Sequence, residues 1–173
     1  MEVLETVLRI AHIFTGVFWA GAAITVAAFI EPSLRAMGPD GGKFVEQFVS
    51  VRKFSVYMGV ASLITVATGG GLFAIVYSDR LGMEWVGSVS GISIIVGSLA
   101  GIVAFAEGML VNRPTGDRMA VLGAQMKNAA GPPAPEVVAE MQALQERLRK
   151  AGVNSAILLC ISIIGMSLAH WSI

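Results

Sequence analysis

The chain has 173 residues, of which 55% are apolar and only 14% charged, with a formal net charge of zero. An ordinary soluble domain carries roughly 25% charge, so this composition argues against one. A neutral balance offers no electrostatic footprint for nucleic acid or for general steering of an acidic partner.

In chain order, four stretches are long and apolar enough to cross a bilayer, which needs roughly 20 such residues in a helix. The first runs from about Val3 to Ile30, with Pro32 just after it, and the second from Phe54 to about Tyr77. The third runs from about Trp85 to Val111 and the fourth from about Val153 to the C-terminus near Ser172. Spanning strands would be shorter and would alternate, so the fold class read from the sequence is all-α: an integral membrane four-helix bundle forming a single domain over residues 1–173. Glu2 and Glu5 precede the first run where a secretory signal would carry basic residues, and the run is too long for one.

The connections are polar. Glu31 to Lys53 contains a turn signal at Gly38-Pro39-Asp40-Gly41-Gly42, then Phe44, Val45, Phe48 and Val49 at the spacing of a short amphipathic helix. Ser78 to Glu84 reads as a tight turn. Asn112 to Gly152 is long; its three prolines Pro132, Pro133 and Pro135 precede Glu136, after which Val137, Met141, Leu144 and Leu148 mark one apolar stripe. An amphipathic cytoplasmic helix before the fourth span is expected there. The first and third connections hold ten of the twelve Lys and Arg residues, leaving Arg9 and Arg80 opposite. The positive-inside rule therefore places those two connections in the cytoplasm and both termini outside it, in the cell membrane.

This topology returns the C-terminus to the side of the N-terminus and brings the only two histidines, His12 and His170, to the same side in depth. Gly69-Gly70-Gly71 of the second span lies level with His12, about 10–14 Å below the outer surface at 1.5 Å per residue. Glycines remove side-chain bulk, so another helix or a flat cofactor can approach the backbone. Gly16 follows His12 by one turn, and Trp19 and Ala23 continue that face. An ionisable group inside a membrane points to function, although His12 can also make a simple interhelical hydrogen bond to a Ser or Thr, such as Ser90 or Ser93 of the third span. Glu107 is expected to pair with Arg113, Arg35 or Arg52 at the cytoplasmic rim. Trp85 and Trp171 fall at outer helix ends, where interfacial belt residues sit. Gly87/Gly91 and Gly97/Gly101 are two GxxxG pairs suited to close helix packing, within the bundle or in a homodimer. Cys160, the single cysteine, reads as a packing residue.

The segment His12-Ile-Phe-Thr-Gly16-Val-Phe-Trp19-Ala-Gly21, followed by Pro32, resembles the first helix of the copper-resistance D (CopD) membrane-domain superfamily. Arg52-Lys53-Phe54-Ser55 and Thr68-Gly69 resemble its second helix, so the resemblance covers roughly residues 8–71. The first-helix pattern is also similar to the HemJ-type four-helix membrane proteins that bind haem b, whose helical histidine corresponds to His12. The HemJ pattern adds a basic residue within a later span, which this chain lacks. The resemblance implies a histidine-based site near the outer face.

Three functions follow as expectations. The first is a b-type cytochrome, with His12 and His170 ligating one haem b and Gly16, Trp19, Gly69 and Gly70 around it, passing electrons between a quinol and an outer redox partner. No CxxCH occurs, so covalent haem attachment is excluded. The second is a copper site built from His12, Met166 and His170, with Met83 nearby. The third is a subunit of a larger membrane complex without chemistry of its own.

Overall fold

The computed structural model describes residues 2–76, 85–129 and 131–168. Among these residues no strand occurs, and four helices are long and apolar enough to cross a membrane. They comprise α1 (Glu2–Thr25) with its continuation α2 (Glu31–Met37), then α4 (Phe54–Val76), then α5 (Val89–Glu107) with its continuation α6 (Arg113–Asn128), and lastly α7 (Pro135–Leu168). The short α3 (Gly41–Val45) lies in the first connection.

Two of the long helices run straight through a proline, and the same device permits it each time. A proline inside a helix has no N–H to donate, and its ring clashes with the carbonyl four residues back. Before Pro32 the helix widens into a π-turn over Val26–Ile30, and the Glu31 N–H bonds to the Val26 carbonyl, five residues back. Before Pro114 a second π-turn covers Gly108–Asn112, and the Arg113 N–H bonds to the Gly108 carbonyl. Each proline thus enters the first turn of a fresh helical segment, where its missing N–H costs least. The sequence expectation that the first helix stops before Pro32 is corrected accordingly: it continues to Met37. In the Asn112–Gly152 connection the expected helix leading into the fourth span is present, and the helix that follows Asn112 is the one not anticipated. Helix α6 carries the third span on to Asn128, and α7 begins at Pro135 and runs unbroken into the fourth.

The turn signal at Gly38 is realised. Gly38 adopts a positive φ of 57°, a conformation that costs a residue without Cβ little, and a 3-10 turn covers Gly38–Asp40. The second corner lies at Lys53, also left-handed at φ 54°. Its carbonyl accepts from the N–H groups of Val56 (2.9 Å) and Tyr57 (3.3 Å), so it opens α4. Helix α5 opens on Ser88, whose Oγ accepts from the Gly91 N–H at 3.1 Å.

The helices pack most extensively as two antiparallel pairs, α1 with α4 and α5 with α7. Trp19 and Ala20 of α1, Ala61 of α4, Ala104 of α5 and Leu159 of α7 form a buried cluster to which all four contribute. In the second pair, glycines bring backbone against backbone: a Cβ built on Gly165 would lie 2.6 Å from the Ser93 carbonyl oxygen and 2.9 Å from Gly97 Cα. Close approach of this kind is how helices gain packing energy where lipid removes the hydrophobic drive between them. Trp85, expected at an interfacial belt, is instead buried at 8% exposure, with its ring centroid 6.1 Å from that of Phe73.

At the end of the molecule that carries the basic connections, exposed ion pairs tie segments together. Arg118 of α6 grips Glu140 of α7 with two bonds of 2.7 and 2.9 Å, and Lys127 reaches Glu46 at 3.2 Å. Solvent screens such exposed pairs, so they set register more than stability.

Candidate functional site

The α1–α4 crossing is built from small and hydroxylated residues. A Cβ on Gly16 would sit 3.5 Å from the Thr65 methyl, and one on Gly71 would sit 3.3 Å from a Leu8 methyl. Thr15 and Thr65 meet hydroxyl to hydroxyl at 2.8 Å. Their two protons also serve the backbone carbonyls of Ala11 (2.7 Å) and Ala61 (2.8 Å), so a short polar chain crosses the helix pair.

His12 belongs to the same seam, one turn before Gly16 on α1. Its Nδ1 lies 2.8 Å from the Thr65 carbonyl oxygen, and the Thr68 hydroxyl lies 3.4 Å from the same nitrogen. A carbonyl only accepts, so Nδ1 donates to Thr65 and Nε2 is the ring nitrogen left for another partner. Among the described residues Nε2 has no hydrogen-bond partner. Gly69 makes the arrangement sterically possible: a Cβ there would lie 2.8 Å from His12 Cε1 and 3.1 Å from Nδ1.

The sequence-derived residues fall into three groups. His12, Gly16 and Gly69 lie together in the α1–α4 interface, and Trp19 continues the same helix into the central cluster. The room at Gly69 is taken by the imidazole itself and that at Gly16 by the Thr65 methyl, whereas Gly70 is exposed with nothing within 4 Å of its Cβ position. His170 and Met83 lie outside the described residues, as do Arg80 and Trp171. The closest partner of His12 is a backbone carbonyl of α4, and the hydroxyl within reach is that of Thr68 on the same helix, where a Ser or Thr such as Ser90 or Ser93 of the third span was anticipated. Thr65 was not singled out from the sequence, and Thr68 only within the Thr68-Gly69 resemblance, although their three-residue spacing beside Gly69 puts all three on one face, a signal that was available.

A second polar group lies toward the basic end. Glu107 does not pair with an arginine, as had been expected; among the described residues no ion pair includes it. Its carboxylate accepts from Asn154 Nδ2 at 2.9 Å and from Ser155 Oγ at 2.8 Å. Asn112 Nδ2 lies 3.5 Å from the same Ser155 oxygen. Glu107 also lines a cavity of about 650 Å³ with Ala143, Glu146, Arg147, Lys150, Ala151 and Asn154. Among the described residues no cluster of three or more His, Cys, Asp or Glu side chains is arranged to hold a metal ion.

Comparison with protein-family models, with characterised proteins and with solved structures finds no match to this chain.

Proposed function

We propose that the chain is an integral membrane haem b protein that uses Nε2 of His12 as an axial ligand and takes part in electron transfer near the outer face of the cell membrane. The observation that carries this reading is the His12–Thr65 bond of 2.8 Å. Metal-ligating histidines characteristically donate their other ring N–H to a carbonyl or carboxylate, which fixes tautomer and ring orientation. Thr65 supplies that acceptor from a rigid helix, and Gly69 supplies the room for the ring. Haem would supply one-electron redox chemistry at this position, with its potential tuned by axial ligand, hydrogen bonding and burial. His170 stands as the candidate second ligand on the sequence reading. Gly70, with open space beside it, is the glycine left to admit a porphyrin edge.

The test is an optical spectrum of the detergent-purified protein, produced with haem precursor, before and after dithionite. A Soret band with sharp reduced α and β bands is expected. A featureless spectrum at that haem supply would overturn the haem reading. The His12–Thr65 bond would then be an interhelical pin, and metal analysis for copper would precede the reading as a subunit of a larger complex.

Sidedness belongs to the same proposal and rests on the ten-to-two division of basic residues. A reporter pair fused at the C-terminus is expected to be active in its periplasmic or external form and silent in its cytoplasmic form. The reverse pattern would move His12 to the cytoplasmic side.

A further inference from the structure

The groups around Glu107 have no part in the proposed haem site, and their chemistry is specific. Glu107 closes α5 at the edge of the Gly108–Asn112 π-turn. Both of its hydrogen bonds come from neutral side chains, Asn154 and Ser155, so neither partner brings a positive charge. Arg147 and Lys150 line the neighbouring cavity, yet neither is ion-paired with Glu107, and Lys150 is engaged with Glu146 at 3.6 Å. Where the π-turn passes into α6, two oxygens, Asn112 Oδ1 and Thr115 Oγ1, are buried without a hydrogen-bond partner among the described residues, and Asn112 Nδ2 lies 3.5 Å from Ser155 Oγ. Thr115 is only 3% exposed. It follows Asn112 by three residues, which puts both on one helix face, the face that reaches Ser155. Pro114 intervenes and brings no N–H, so this turn also forfeits a backbone donor.

Buried polar atoms without partners are uncommon, and each calls for a ligand, a water or an ion. Water would satisfy the two orphan oxygens but would leave the carboxylate without a counter-charge. A cation would do both. The available donors are all oxygens: a carboxylate, an amide carbonyl and two hydroxyls. Oxygen donors select hard cations over the softer transition metals. A single carboxylate is sparse for calcium, whose sites combine several carboxylates and carbonyls among six to eight oxygen ligands, and magnesium demands near-ideal octahedral geometry. We infer that Glu107, Asn112, Thr115 and Ser155 form a site for a small monovalent cation of the sodium class at the π-turn joining α5 and α6, where it would fix the third span against the fourth.

The test uses the full chain in lipid nanodiscs, with thermal unfolding midpoints followed against NaCl and against choline chloride at equal ionic strength. A ligand that binds only the folded state raises the midpoint saturably with its concentration. Wild type is expected to show that rise with sodium and not with choline. Glu107→Gln and Thr115→Val are each expected to abolish it; the valine is close to isosteric and guards against the case where the glutamine variant fails to fold. Identical wild-type midpoints in sodium and choline, or a sodium-specific rise that persists undiminished in Thr115→Val and Glu107→Gln, would overturn the site. Neither result depends on haem content, so this inference and the haem proposal fail independently.

Discussion

On the proposed haem reading, alanine at Gly69 is expected to strip haem from the purified protein nearly as completely as alanine at His12, although Gly69 is no ligand. The new Cβ would lie 2.8 Å from His12 Cε1 and 3.1 Å from Nδ1, inside the distance real carbon atoms tolerate. The imidazole must then swing away from the Thr65 carbonyl, which removes the bond that holds Nε2 in place. Loss of such an orienting partner typically costs 10–100-fold in metal affinity. His12→Ala removes the ligand outright. Gly70→Ala is the internal control: its Cβ meets nothing within 4 Å, and alanine is about 1 kcal/mol better than glycine within a helix. Haem content per protein, read from the reduced spectrum, checks all three. Full haem in Gly69→Ala would detach the Thr65 bond from ligand positioning, and full haem in His12→Ala would remove His12 from the site.

A large effect on stability is expected at Gly165. Its hypothetical Cβ meets the Ser93 carbonyl oxygen at 2.6 Å, Gly97 Cα at 2.9 Å and Gly97 N at 3.0 Å. All three are backbone atoms of a neighbouring helix, and no rotamer change can move them. Alanine is expected to cost about 1–3 kcal/mol, the usual range for overpacking, and leucine more than alanine because the helix pair must separate. Unfolding of the reconstituted protein by a graded mixture of denaturing and mild detergent measures the difference. Wild-type stability in Gly165→Leu would mean that α5 and α7 do not cross at these glycines.

Much of the helical plan was legible because hydropathy reports it directly: four apolar runs gave four apolar helices. What the sequence concealed was continuity. Pro32 and Pro114 are stop signals by any local rule, and the hydrogen-bond shift that lets the helix pass them leaves no mark in residue type. The partner of His12 was hidden for a different reason. It is a backbone carbonyl, and every residue offers one, so only the α1–α4 register could single out Thr65. Glu107 was the more recoverable case. Gly97 of α5 sits against Gly165 of α7, and moving ten residues along each antiparallel helix brings Glu107 to Ser155. The small residues that set the crossing therefore carried the neighbour of the carboxylate, which a search for arginines passed over.

The π-turns have a rotational consequence. Each adds a residue to the count around the axis, and one residue advances an α-helix by about 100°. Phase matters below Gly108–Asn112, because the helix that follows still has to present Leu122, only 1% exposed, to the bundle. A one-residue deletion inside the turn would swing α6 like a key in a lock, carrying Leu122 outward and Arg118 away from Glu140, while the apolar run above it kept its length.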